Sequence, residues 1–167
     1  MHMLRYRGIW GGALVIALIS GCTPGPGEAV PLGEARNEVA ALVEELQEAF
    51  TLGEEAEWSG PDREALAPEE DGSCRWRPGT WSTPLRLEES DPSWPDRRER
   101  VNEVLAEHGL GEVGNPEYTG GAAYGFETEG PAGGRVRIDS WKGESTIYLH
   151  GLAVEVEGAC DESALTD

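Results

Sequence analysis

Two of the three histidines and a large excess of carboxylates are the side chains of this sequence best suited to acid–base chemistry. An imidazole such as His108 or His150, beside a carboxylate, could serve as a general base held in orientation, and two facing carboxylates could hydrolyse a glycosidic bond. The sequence contains no Gly-x-Ser-x-Gly elbow, no His-Glu-x-x-His zinc motif, no Walker loop and no dinucleotide fingerprint. We therefore expect a protein that is not an enzyme, with hydrolysis by paired carboxylates as the alternative.

Tryptophans offer a second kind of chemistry, because aromatic rings provide platforms for sugars and other ligands. Five follow residue 22: Trp58, Trp76, Trp81, Trp94 and Trp141. Trp76, Trp94 and Trp141 are expected in the core. Trp58 and Trp81 lie beside turn residues, so we expect them near the surface, as possible ligand contacts.

The first 21 residues have the features of a bacterial export signal. A short basic segment with Arg5 and Arg7 precedes residues 9–19, which are apolar apart from two glycines and carry no charge. This apolar run has the length of a signal-peptide core and is shorter than the roughly 20 residues that span a bilayer. Small residues follow at positions 20 and 21. We predict a signal peptide over residues 1–21 and no permanent membrane helix.

The four residues Ile19-Ser20-Gly21-Cys22 end this signal in a pattern that resembles the lipobox of bacterial lipoproteins at every position. The resemblance implies cleavage before Cys22, a diacylglycerol on its thiol and, in many cases, acylation of the new amino terminus. Two acyl chains are sufficient for stable membrane anchoring. We therefore expect the protein at the cell membrane, held by lipid on the extracytoplasmic face. The alternative is an ordinary secretory signal followed by a chance cysteine.

Charge limits the partners of the exported chain. Cleavage leaves 146 of the 167 residues, a length that suits one domain. It removes Arg5 and Arg7, so 11 basic residues remain against 32 acidic ones, a net charge of −21. This charge excludes nucleic acid as a partner, because a phosphate backbone requires a cationic surface. It also repels anionic lipid headgroups, so anchoring would depend on the acyl chains.

If Cys22 is lipidated, Cys74 and Cys160 remain as an even pair in an oxidising compartment. We predict a disulfide between them. A redox or metal-binding pair is the alternative, but the sequence has no Cys-x-x-Cys and no histidine close to either cysteine. The acidic clusters at 69–71 and 88–91 also lack the pattern of a calcium loop. We therefore expect no metal ion and no cofactor.

Residues 22–33 are rich in proline and glycine, which predicts a lipidated cysteine followed by a flexible tether. A single domain would cover residues 34–167.

Two helices are indicated within this domain. Residues 34–50 carry apolar side chains at 39, 42, 43, 46 and 50, which is one helical face. A second helix begins near Ser93, with Ser93 as cap, Pro95 in the first turn and Asp96 completing a capping box. Arg97 belongs to its expected exposed first turn, and Gly109 ends it.

Strand patterns dominate the rest of the domain. Residues 74–76 alternate, position 81 and residues 85–87 are strand-like, and a period of two begins after Gly114. Between residues 145 and 160, apolar side chains occupy both even and odd positions. Either both faces of this strand are covered by other parts of the protein, or a bulge near Gly151 resets the register. We predict an α+β fold in which two helices pack on one antiparallel sheet of three to five strands, with one disulfide.

The whole pattern also resembles small actinobacterial lipoproteins of the LppA-like kind. The shared features are the lipobox, the early helix, the Cys74-x-Trp76 segment, the helix closing in Glu107-His108-Gly109-Leu110-Gly111, and strands that end in a cysteine. This resemblance implies fold and location, and that group has no assigned activity. We therefore expect a binding or envelope-organising domain whose possible partners are a cell-wall glycan or an envelope protein.

Overall fold

A computed structural model describes residues 28–166 except residues 121 and 142. The predicted signal peptide, Cys22 and the first part of the predicted tether lie outside the described residues. The described residues form two α-helices, α1 (Leu32–Thr51) and α2 (Trp94–Glu107). Neither is both long and apolar enough to cross a bilayer.

Helix α1 confirms the helix predicted from periodicity. Its apolar face is buried, each member being at most 3% exposed: Val39, Leu42, Val43, Leu46 and Phe50. The helix begins two residues earlier than predicted, because Leu32 extends the same buried face. Val30–Pro31 pairs with a later strand. The predicted tether therefore extends too far, since residues 30–33 belong to the folded domain.

The strands in the described part of the chain form two sheets. In chain order they are β1 (Val30–Pro31), β2 (Ala65–Pro68), β3 (Cys74–Arg77), β4 (Gly79–Thr83), β5 (Glu117–Gly120), β6 (Ala123–Glu129), β7 (Arg135–Trp141), β8 (Glu144–His150) and β9 (Leu152–Glu155). One sheet has the order β1-β9-β3-β2 and the other β4-β8-β7-β6-β5. All pairs within them are antiparallel except β1 with β9. The α+β class is confirmed, but the prediction of a single sheet is wrong, and residues 85–87 form no strand.

The two sheets are connected by one bent ribbon. Trp76 pairs with Leu152 in the first sheet, and Gly79 pairs with Leu149 in the second. Between these pairs lie Pro78, which has no N–H to donate, and Gly151, at φ +74°. The parity change near Gly151 is therefore a corner between two sheets and not a bulge within one strand.

The core lies between the helices and the inner faces of the sheets. Phe126, Ile138 and Ile147 are neighbours across β6, β7 and β8, and each is at most 2% exposed. Trp94 of α2 packs edge-on against Phe126, with ring centroids 5.4 Å apart. Trp76 and Trp94 are therefore core residues, as predicted.

A disulfide joins Cys74 to Cys160, with a Cα–Cα distance of 5.8 Å and 86 residues of sequence separation. This pairing confirms the prediction from the cysteine count. Cys74 lies on β3, opposite Val154 of β9, and Cys160 follows β9. The bond therefore ties the C-terminal segment back to the four-stranded sheet.

The start of α2 differs from the predicted capping box. The Ser93 hydroxyl donates to Asp91 and accepts from Arg97 Nε at 3.0 Å, and it makes no cap to the helix backbone. Asp91 also accepts from the Ser93 backbone N–H at 2.9 Å, so a turn before the helix replaces the capping box.

Arg97, in the first turn of α2, is 1% exposed. The prediction that it lies on an exposed turn is wrong, because it packs against the end of α1.

Candidate binding sites

A groove of about 360 Å³ runs between α1 and the edge strand β4. One wall is a face of α1 that continues for three helical turns, formed by Arg36, Val39, Ala40, Val43, Glu44 and Gln47. The opposite wall is formed by Pro61, Glu64, Trp76, Pro78 and Trp81. A volume of this size is at the lower end of the range of small-ligand sites, roughly 300–1,000 Å³.

Trp81 is held in this groove by both edges of β4. On one side it pairs with the core residue Ile147 of β8. On the other side, Ser59 exchanges two backbone hydrogen bonds with Ser82, at 2.8 and 2.9 Å, which anchors the outer edge of the strand. The indole is partly buried against the core. Trp81 thus lies at an accessible groove, and its role as a ligand contact stays a prediction.

Glu64 organises one end of the groove. Its carboxylate accepts from the Trp76 indole N–H at 2.9 Å and from Arg36 Nε and Nη2 at 2.8 and 3.0 Å. Arg36 Nη2 also donates to the Leu165 carbonyl oxygen at 2.7 Å. These bonds fix the polar end of the groove before any ligand is present.

Trp58, the other predicted contact, is not among the residues that line this groove. Its ring lies at an angle to Phe50, with centroids 6.5 Å apart, and packs against the core. Its indole N–H is buried without a hydrogen-bond partner in the described residues. The structure therefore does not bring Trp58 and Trp81 together in the groove.

A second concavity, of about 380 Å³, lies on the face of the five-stranded sheet that points away from the helices. We call it the outer pocket; its lining includes Thr80, Arg137, Asp139, Trp141, Thr146 and Tyr148. Trp141 is 40% exposed, so the prediction that it belongs to the core is wrong. On β7 the even positions 136 and 138 point into the core, which leaves the odd positions on the outer face.

Asp139 is a buried carboxylate in the outer pocket, with 3% of the residue exposed. Its Oδ1 accepts from the Thr146 hydroxyl at 2.7 Å and its Oδ2 from the Thr119 hydroxyl at 2.9 Å. Arg137 Nε lies 3.0 Å from Oδ2 as an ion pair, but its N–H makes no aligned hydrogen bond. The Arg137 guanidinium sits over the Tyr148 ring, 5.4 Å from the centroid.

A β-bulge brings Thr119 to Asp139. Tyr118 pairs with Tyr124 and Gly120 with Ala123, so Thr119 is the extra residue. The register also sets Gly125 opposite Asp139. A Cβ at Gly125 would lie 2.1 Å from the Ile138 carbonyl oxygen and 2.8 Å from Asp139 Cβ, so this strand position requires glycine.

The two histidines are not brought together as a catalytic pair. His108 follows α2, with its Nε2 3.2 Å from Glu45 of α1. His150 lies on β8 and stacks on Tyr148, with centroids 4.9 Å apart. Burial lowers the pKa of His150. Within the described part of the chain, no group of three or more His, Cys, Asp or Glu side chains is placed to hold a metal ion.

No family model and no curated protein matches the chain. Among solved structures, the fold is similar to that of a DUF4853 family protein from Actinomyces odontolyticus. The TM-score is 0.53 at 15% sequence identity, over 83% of this chain and 77% of that chain. At this identity the likeness shows a common fold.

Proposed function

We propose that this chain is a lipid-anchored extracytoplasmic protein that binds an apolar segment of an envelope protein in the groove at Trp81. The observation that carries the proposal is the groove itself, an aromatic and aliphatic surface with its polar end already fixed by Glu64. The anchor rests on the lipobox pattern at Cys22.

The chemistry of the groove favours a protein partner over a glycan. Its two walls carry Val39 and Val43 on one side and Pro61, Pro78 and Trp81 on the other. Where a sugar covered these aliphatic side chains, away from the polar end of the groove, its hydroxyl groups would lack hydrogen-bond partners, which is costly. Apolar side chains of a peptide would gain by the same burial.

The shape of the groove agrees with an extended segment. From Arg36 to Gln47 the α1 wall spans about 16 Å at 1.5 Å per residue. An extended peptide of about five residues has that length. Because Glu44 lies on this wall and the exported chain has a net charge of −21, basic residues beside the apolar segment would improve electrostatic complementarity.

Site-specific photo-crosslinking in bacterial cells that express the full chain tests the groove. A photoreactive amino acid at Gln47, on the groove wall, should give one discrete protein adduct. The same group at Glu112, an exposed loop position outside the groove, should not give this adduct. Trp81→Ala should abolish the Gln47 adduct while thermal unfolding shows a folded domain. The same adduct from both positions, or one that persists in Trp81→Ala, contradicts the proposal.

The anchor has a separate test. Cells supplied with a palmitate analogue should incorporate it into the chain, and Cys22→Ala should remove the label and release the protein from the membrane fraction. A chain that carries no label, or that retains residues 1–21 by mass spectrometry, contradicts the anchor and leaves the groove experiment unaffected.

A further inference from the structure

We propose that the outer pocket is a second binding site, and that it takes a neutral carbohydrate ring. The site is built from the Arg137–Asp139 ion pair and the rings of Trp141 and Tyr148. This inference does not depend on the groove at Trp81.

The ion pair offers a donor and an acceptor side by side. Asp139 is held by two hydroxyl donors, Thr119 and Thr146, and an ionised carboxylate can accept further hydrogen bonds. Arg137 is one-third exposed and can donate from the guanidinium at the same place. A pair of neighbouring sugar hydroxyls both donates and accepts, so it matches both members of the ion pair.

The charges of the pair suit a neutral ligand. Arg137 and Asp139 compensate each other at 3.0 Å, so a ligand bound against both meets no net charge from them. The pair itself therefore favours neither an anion nor a cation, and Glu144, which also lines the pocket, adds a negative charge that disfavours an anion. A hydroxyl-bearing ring interacts favourably with both groups.

The aromatic side chains provide the apolar part of the site. Trp141 is 40% exposed at one end of the pocket, which is unusual for so large an apolar side chain. Tyr148 is held in orientation by Arg137 over its ring and by stacking on His150. A sugar ring has an apolar C–H face that packs on such surfaces while its hydroxyls reach the polar groups.

The pocket is independent of the groove because β4 separates them. Thr80 lines the outer pocket and Trp81, the next residue, lines the groove, and successive residues of a strand point to opposite faces. Substitution of Trp81 therefore tests one site and substitution of Trp141 tests the other. The two proposals can fail separately.

The experiment is a calorimetric titration of the full chain, purified in detergent, with three neutral oligosaccharides: chitotetraose, cellotetraose and maltotetraose. At least one should bind with a saturable Kd below about 10 mM. Trp141→Ala should weaken that binding at least tenfold, about 1.4 kcal/mol, and Trp141→Phe should restore part of it. Trp81→Ala, the matched control, should change the Kd less than twofold.

Asp139→Asn tests the ion pair within the same pocket. It keeps the shape of the side chain but removes the charge, and it should weaken binding at least tenfold. If Asp139→Asn does not fold, Trp141→Ala, which removes a partly exposed ring, still tests the pocket. The proposal is overturned if none of the three oligosaccharides binds below about 10 mM. It is also overturned if Trp141→Ala binds as the parent does, or if Trp81→Ala is the variant that loses binding.

Discussion

Arg97 of α2 donates a hydrogen bond from Nη1 to the carbonyl oxygen of Phe50, in the last turn of α1. Its guanidinium lies over the Phe50 ring, 5.2 Å from the centroid, and Nη2 pairs with Glu54. Because the last carbonyl groups of a helix have no partner within it, a cation at this position satisfies one of them and complements the helix dipole. The side chain thus joins the end of one helix to the start of the other.

Arg97→Ala should lower the free energy of unfolding by about 3 kcal/mol. It leaves the Phe50 carbonyl without its donor and creates a cavity where a large side chain, 1% exposed, was packed. Urea denaturation followed by far-UV circular dichroism measures the change. Arg100→Ala is the control: among the described residues, this exposed arginine forms its ion pair with Glu103 in the same helix, so a loss below about 1 kcal/mol is expected. Equal losses for both variants would contradict the role of Arg97.

The sequence predicts an element and its buried face where apolar residues recur with a single helical period, as in α1. The same reasoning applies to α2, where Trp94, Arg97, Val101 and Leu105 are the buried residues. Their spacing of three or four residues forms one helical face. Position 97 was predicted as exposed from its charge alone. The residue type alone does not distinguish the buried Arg97 from the charged residues beside it, whereas its position on the helix does.

The arrangement of the strands in two sheets could not be predicted from the alternation of apolar and polar residues. A period of two is the same in a continuous strand and in a ribbon that bends into a second sheet, so only Pro78 and Gly151 mark the corner. The outward position of Trp141 could have been predicted from the sequence, because Val136 and Ile138 point inward and residue 141 has the opposite parity. The contact between Thr119 and Asp139 could not have been predicted, since it depends on a bulge that appears only when β5 and β6 pair.

Reduction of the Cys74–Cys160 disulfide should destabilise the domain by about 4–5 kcal/mol, because 86 residues of the unfolded chain lose their constraint. Urea denaturation with and without a phosphine reductant measures this difference. The double variant Cys74→Ala/Cys160→Ala should be insensitive to the reductant and should unfold near the midpoint of the reduced parent. A parent whose midpoint is unchanged by complete reduction would show that the bond does not stabilise the fold.

Stability should fall in acid partly through Asp91. Hydrogen bonds from the hydroxyl and the backbone N–H of Ser93 lower the pKa of this carboxyl in the folded state. The unfolded chain therefore takes up the proton more readily, so this contribution is present above about pH 4 and is lost as pH falls through the lower folded value. Asp91→Asn should show a shallower loss of stability between about pH 5 and 2.

Ser93→Ala removes one of the two donors to Asp91 and retains the backbone N–H, so its pH dependence should lie between those of the parent and Asp91→Asn. Urea midpoints measured at half-unit pH intervals give all three curves. Parallel curves for the parent and Asp91→Asn would mean that the Ser93 hydrogen bonds do not contribute to acid stability.

Gly125→Ala should damage both the five-stranded sheet and the outer pocket. The new Cβ would lie 2.1 Å from the Ile138 carbonyl oxygen and 2.6 Å from Asp139 Cα, so β6 and β7 must move apart. A loss of about 3 kcal/mol in the free energy of unfolding is expected, at the upper end of overpacking costs.

Gly114→Ala is the matched control, since a Cβ at this loop glycine meets nothing within 4 Å. It should change stability by less than about 0.5 kcal/mol. Urea denaturation compares the two variants, and calorimetry with the best-binding oligosaccharide compares their outer pockets. Because Asp139 is aligned by Thr119 across Gly125, the Gly125 variant should lose carbohydrate affinity even under conditions in which it remains folded. A stable Gly125→Ala chain with unchanged affinity would contradict the close strand approach on which the geometry of the pocket depends.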